Sequence, residues 1–285
     1  MQLWLSRAHF DLNDPWEHVD FQVRSTFDVV GGAGWRIAYP VQVAAELWIV
    51  REGSVAIENG VRRALAVAPC AVVLRAGESR ETSHIDGPRL SVLGFSFDAT
   101  LWGALDWVKL LDVPPVSPLP DGLMPLLERM VKESRARKAG YSLAVHGWGQ
   151  LAFVELLRAQ NADANSQRGL EHAAALARNP ELRAVLQLVE KRFDEPFDIA
   201  RMARAAHLSQ KHFGRKFRAA LGLTPMEYLR RFRLNRARDL LASSGENSGA
   251  IAHRVGFADE AHFGRAFKRE FGVTPGAFRR GIAET

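Results

Sequence analysis

The 285-residue sequence predicts an α+β fold of more than one domain: a small antiparallel β-barrel or sandwich with helices after it, then an all-helical region. Three observations carry this. Between residues 20 and 100, short apolar stretches alternate with turn residues at intervals of roughly 8–15 positions, the spacing of an all-β unit. Beyond Pro180, helical patterns recur at a 50-residue offset. The charge is also uneven. Pro180 to Thr285 holds 20 Lys and Arg against 12 Asp and Glu, a net +8, whereas the whole chain is +6, so the first 179 residues sum to −2. A basic final third on a near-neutral body is the footprint of a polyanion binder, although a solvated basic face would read the same.

The β elements come first. Ala45 to Val50, Val55 to Ile57, Ala71 to Leu74 and Leu90 to Phe97 are the apolar runs, and Asn59-Gly60 is the strongest hairpin signal between them. The proline-rich Pro114 to Pro120 ends the region, because neither a helix nor a central strand tolerates it. Two helices follow, with stripes Leu123, Leu126, Leu127, Met130, Val131 and Leu143, Val145, Leu151, Val154, Leu156, Leu157, the second weakened by Gly147 and Gly149. Asn161 to Gly169 is small and polar and reads as the interdomain linker, which divides the chain into domains at 1–165 and 175–285. A short Ala-rich helix is expected over Glu171 to Arg178. Pro180 suits a helix N1 position, and Asp198 suits the N-cap of the next helix.

Composition excludes several classes. Charged residues are 25% and apolar residues 47%, an ordinary soluble balance. No apolar run nears the ~20 residues of a membrane span. The Met1 to Arg7 start has no signal-peptide character, so a cytoplasmic location is expected. Cys70 is the single cysteine, which rules out an intrachain disulfide and a thiolate zinc cluster.

The repeat is the most specific feature. His212-Phe213-Gly214-Arg215 returns as His262-Phe263-Gly264-Arg265, Phe217 as Phe267, Gly222 as Gly272, and Thr224-Pro225 as Thr274-Pro275. Phe213, Phe217 and Leu221 fall four apart on one helix face, as do Phe263, Phe267 and Phe271. Gly222 and Gly272 stand where a left-handed C-cap is needed, and Thr224-Pro225-Met226-Glu227 is a capping box. Upstream, Met202-Ala203 matches Ile251-Ala252 at an offset of 49, so the second unit has one extra residue in its turn. Each unit is thus helix, tight turn, helix. The intervening Pro225 to Leu241 spans roughly 25 Å as a helix. That length suits two recognition helices on one duplex face, and Arg230, Arg231, Arg233, Arg236 and Arg238 make it basic. A solenoid would want more copies and a shorter regular period.

Residues 180 to 280 resemble the DNA-binding domain of the AraC/XylS family of bacterial transcription regulators, most closely from Ile251 to Pro275. The first part resembles that family's cupin-like sensor barrel with dimerising helices. The resemblance implies an α+β multi-domain protein that is a sequence-specific regulator, more often an activator, and not an enzyme. Its implied partners are double-stranded DNA, a small-molecule effector, a second copy of the chain and RNA polymerase, with no cofactor. It implies recognition helices at Gln210 to Leu221 and Glu260 to Phe271, with base contacts at Lys211, Gly214, Arg215, Glu260, Ala261, Gly264 and Arg265. His212 and His262 are further candidates, and Arg218, Lys268 and Arg269 fit phosphates, which position rather than specify. For Arg215 and Arg265 the competing role is an intradomain salt bridge. Gly214 and Gly264 depart from the family by standing mid-helix without a side chain, at a cost of about 1 kcal/mol each relative to alanine. His207 stands where the family has Gly or Asn, and histidine tolerates positive φ.

For the first domain the sequence is less specific. No His-X-His pair with a downstream Glu and His is present, so no metal is expected. Trp35, Arg36, Tyr39, Glu46, Trp48, Arg80 and His84 are candidate effector contacts, each read equally well as a core aromatic or a surface charge. An architectural DNA-binding protein without a ligand is the alternative function.

Overall fold

In the computed structural model, residues 15–39, 41–160 and 164–283 are described. The Met1 to Arg7 start and linker residues 161–163 lie outside them. A 3-10 turn (Pro15–His18) leads into β1 (Val19–Gly31), β2 (Arg36–Tyr39), β3 (Ala45–Glu52), β4 (Ser54–Asn59), β5 (Arg62–Val67), β6 (Cys70–Leu74), β7 (Arg80–His84), β8 (Leu90–Leu101) and β9 (Leu105–Asp106). The short helix α1 (Trp107–Leu110) and β10 (Val116–Pro118) complete the β region. The strands form two antiparallel sheets. One runs β1-β8-β3-β6-β10, with β9 added to β8, and the other runs β2-β7-β4-β5.

The larger sheet is buried on both faces. Alternate side chains of a strand point to opposite sides. On β3, Trp48 and Val50 face the smaller sheet and join Val55, Ile57, Val72, Leu74 and Val92. Leu47 and Ile49 face the other way, toward α2 (Leu123–Ala136) and α3 (Tyr141–Gln160), with Phe95, Phe97 and Phe153. This explains why β6 is apolar throughout and why β8 is buried along nearly its whole length rather than at alternate residues. At the β4–β5 hairpin Gly60 takes φ +62, while Asn59 ends its strand and is buried. Its side-chain carbonyl accepts from the Arg75 N–H at 2.7 Å.

Two expectations for α3 change. The helix runs unbroken through both glycines, and a Cβ at Gly149 would come within 2.5 Å of Val23 Cγ2. Glycine there lets the helix lie close on β1. Leu143 and Leu151, expected on the buried stripe, are exposed (81% and 49%), because α3 turns Val145, Gly149, Ala152 and Leu156 inward instead. The Ala-rich helix starts earlier than expected: α4 spans Ala164–Ala177, so residues 164–169, expected in the interdomain linker, are helical instead.

The helical region comprises α5 (Pro180–Arg192), α6 (Ile199–Ala205), α7 (Gln210–Leu221), α8 (Pro225–Ser243), α9 (Ser248–Arg254), α10 (Glu260–Phe271) and α11 (Pro275–Ala283). It has two cores strung along α8. Tyr228, Leu229 and Phe232 belong to the first, with Val185, Met202, Phe213 and Phe217. Leu234, Ala237 and Leu241 belong to the second, with Ile251, Phe263 and Phe267.

Helix α8 also docks on the β region. The Tyr228 hydroxyl donates to Trp102 O at 2.7 Å, and Asn235 Nδ2 donates to Gly103 O at 2.9 Å. Gly103 has φ +68 and lies so close to Phe232 that a Cβ would sit 2.6 Å from that ring. Arg238 pairs with Asp98 of β8 at 2.7 Å. Asp98 also binds Arg24 of β1, which reaches Asp239 of α8 at 2.9 Å. Burial disfavours the charged Arg24, but the two carboxylates outweigh it and raise its pKa.

Candidate nucleic-acid interface

Each unit is built by local signals. In the first, the Asp198 carboxylate accepts from the Arg201 N–H at 2.7 Å and starts α6. After α6 the chain turns through His207, at φ +54, and Ser209 caps α7. In the second, Asn247 caps α9, Gly256 takes φ +85, and the Asp259 carboxylate accepts from the Ala261 and His262 N–H groups at 2.9 and 3.1 Å. The two positive-φ residues are 49 apart and the two caps 50 apart. Ala258 is therefore the extra turn residue that the repeat requires. Gly222 and Gly272 close α7 and α10 in left-handed conformation at φ +71 and +77. Thr224 and Glu227 form the expected capping box at the start of α8.

Burying the phenylalanine face of each recognition helix leaves a polar face outward. On α7, Phe213 and Phe217 are buried, and Lys211, Arg215 and Arg218 are exposed. On α10, Phe263, Phe267 and Phe271 are buried, and Glu260, Ala261, His262, Arg265, Lys268 and Arg269 are exposed. Among the described residues none of these six cations forms an ion pair within 4 Å. Arg215 instead lies 3.2 Å from His212 Nδ1, and the His262 ring rests edge-on against Phe257. Lys216, not a candidate, is paired with Glu181 at 2.6 Å. Gly264 has open space where a Cβ would be, and Gly214 meets only Ile199 at an ordinary 3.6 Å. Internal packing therefore requires neither glycine, and both leave a gap in the outward face.

The α8 arginines do not join that face as expected. Arg231 pairs with Glu270 at 3.2 Å, Arg236 with Asp20 at 3.8 Å, and Arg238 with Asp98. Arg233 donates from Nε to Phe193 O and from Nη2 to Glu195 O, each at 2.7 Å. Burial lowers its pKa, with Asp194 acting in the opposite sense. Four of the five thus serve contacts within the protein. Their carboxylate and carbonyl partners lie far away in sequence, so the linear charge count could not assign them.

The effector candidates divide. Tyr39, Glu46, Trp48 and Arg80 converge. Glu46 Oε2 accepts from Trp48 Nε1 at 2.6 Å and from Arg80 Nη1 at 2.7 Å. The Arg80 guanidinium lies 5.0 Å from the ring centroids of both Tyr39 and Trp48. Gln42, which sequence reasoning missed, bridges Glu46 and Arg80. Trp35 meets Trp48 edge-on. Arg36 is exposed on the strand opposite Glu81, to which it is paired, and His84 is held by Ser54 O and Gly87 O. Among the described residues, no group of three or more His, Cys, Asp or Glu could hold a metal ion, and no helix is long and apolar enough to cross a membrane.

Comparison with known proteins agrees with this geometry. Residues 202–281 match a helix-turn-helix domain family. The HTH-type transcriptional regulator GlxA of Rhizobium meliloti (strain 1021) is 40% identical over 92 residues, which cover 32% of this chain and 28% of that protein. The HTH-type transcriptional activator RhaS of Escherichia coli (strain SE11) is 33% identical over 110 residues, covering 39% of this chain and 37% of that protein. The chain therefore spans about a third of the length of the curated relatives it matches, and those relatives are regulators rather than enzymes. Over 94% of this chain and 100% of the other, the fold is similar to the crystal structure of ToxT from Vibrio cholerae O395, with 10% identity and a TM-score of 0.52. That likeness gives the two-part architecture, a β domain followed by a helical one.

Proposed function

We propose that this chain, whose residues 202–281 form an AraC-type helix-turn-helix domain, is a sequence-specific DNA-binding transcription regulator. One observation carries the reading. Two recognition helices built from one repeat each turn an arginine outward at the matching position, Arg215 and Arg265, with no carboxylate within ion-pairing distance among the described residues. A guanidinium with no carboxylate partner is suited to bidentate contact with guanine in the major groove. Exposed Lys211 and Arg218, half-buried His212, and exposed Glu260, Ala261, His262, Lys268 and Arg269 flank those positions as further base and phosphate contacts.

The same proposal includes activation in response to a small effector in the first domain, at the Tyr39, Glu46, Trp48 and Arg80 cluster with Trp35 against Trp48, whereas Arg36 and His84 are held by other partners. What supports a link to DNA binding is the strand pairing. Glu46 lies opposite Ser96 on β8, and β8 carries Asp98, which holds α8. The proposed protein acts in the cytoplasm as a dimer that contacts RNA polymerase. Exposed Leu143 and Leu151, with open space over Gly147 between them, make α3 the dimer surface that fits best.

Selection of bound duplexes from random DNA, with and without candidate effectors, tests the whole proposal. Two conserved half-sites in the selected pool are the expected result. A pool without sequence preference, bound with steep salt dependence, would make the chain an architectural DNA binder instead.

A further inference from the structure

The two helix-turn-helix units differ at one turn position. His207, at φ +54, is exposed in the first unit, whereas its counterpart Gly256, at φ +85, is pressed against the first unit. A Cβ on Gly256 would stand 2.7 Å from Asp194 O and 2.9 Å from Cζ and Nη2 of Arg233. The flat guanidinium of Arg233 thus lies between the second unit's turn and the end of α5. Its two N–H donors hold Phe193 O and Glu195 O, both at 2.7 Å. The residue also occupies the crossover of α8, between Phe232 in the first core and Leu234 in the second. Among the described residues Phe193, whose carbonyl Arg233 holds, is the one side chain that packs against both helical cores.

We propose that Arg233 is the positioning residue that fixes the angle and separation of α7 and α10, and hence the half-site spacing the protein accepts. This rests on the proposed reading of DNA by both helices. Besides α8 itself, this fork and the Phe193 side chain that packs on both cores are what join the two units at this point. A planar fork that binds two carbonyls also resists rotation in a way that a lysine point charge does not. Gly256 follows from the same contact, because any side chain there would push the second unit off the guanidinium. His207, by contrast, is exposed.

The test uses the full chain and the duplex recovered by selection. Its half-sites are moved apart or together in a graded series over about one helical turn, roughly 10 base pairs. Affinity is read by fluorescence anisotropy for the wild type, Arg233→Lys and Gly256→Ala. The wild type should favour one spacing. In Arg233→Lys the ratio between the best spacing and its neighbours should fall about tenfold, the order of one lost specific contact. Binding to a single isolated half-site should stay at the wild-type level. Gly256→Ala, which keeps the clamp but displaces the turn, should shift the preferred spacing or flatten the profile. A wild-type spacing profile in both folded variants overturns the proposal and leaves DNA reading intact. Unfolding of both variants also overturns it, because Arg233 would then be a stability element only. A wild type that prefers no sequence at all would instead remove the DNA-reading premise.

Discussion

Asp98 of β8 and Arg238 of α8 form an ion pair at 2.7 Å with both side chains 7% exposed, joining residues 140 positions apart across the two halves of the molecule. Asp98 also faces Arg24, so one carboxylate neutralises two guanidinium groups. Removing it strands the buried Arg238 and leaves Arg24 with Asp239 alone. Asp98→Asn should therefore destabilise the protein by on the order of 3 kcal/mol. It should also loosen α8 from the β domain, visible as faster proteolysis between the halves and a larger radius of gyration. A thermal midpoint and radius equal to the wild type would show that the other docking contacts suffice.

The outward cations should separate into two behaviours. Arg265→Ala should cost about 1–3 kcal/mol against the preferred base at one position and relax discrimination there. Lys268→Ala should weaken all sequences alike and reduce the slope of log affinity against log salt by about 0.9. Binding titrations at several salt concentrations on matched and mismatched duplexes distinguish them. If Lys268 changed base preference while Arg265 did not, the register of α10 on DNA would differ from that proposed.

The exposed stripe on α3 makes a simple prediction. Leu143→Glu with Leu151→Glu should convert a dimer to a monomer in sedimentation velocity, with little change in thermal stability, since both side chains are solvent-exposed in one chain. A wild-type protein that is already monomeric at high concentration would remove the proposed dimer.

The start of α8 should respond to acid. The Glu227 carboxylate accepts from the Thr224 N–H at 2.8 Å and from its hydroxyl at 2.8 Å, and these bonds hold its pKa below the ordinary value. A depressed folded-state pKa gives stability that is fully present above the usual glutamate range, about 4.3, and is lost as pH falls through the folded value. Glu227→Gln should remove that part of the acid dependence. Thr224→Ala should cost about 1 kcal/mol at neutral pH. Chemical denaturation across a pH series reads both.

The helical half was legible in the sequence because its signals are local. Asp198, Thr224, Gly222 and Gly272 act on groups within a few residues, and the Phe213/Phe217 and Phe263/Phe267 faces follow from helical periodicity alone. The extra turn residue, Ala258, was countable from the offsets. Of the effector candidates, Tyr39, Glu46, Trp48 and Arg80 were nameable by type, but that they touch one another, through Gln42, depends on the pairing of strands far apart in the chain.

By itself, then, the sequence determined two unequal helix-turn-helix units and which face of each recognition helix is polar. The tertiary structure alone decided where α8's arginines go, that Leu143 and Leu151 face outward, and why one turn takes histidine and the other glycine. The physical reason is the same in each case. A charge or an apolar side chain has no fixed role until its partner is placed, and Asp98, Asp20, Phe193 and Asp194 reach α8 or the second turn only when the chain is folded.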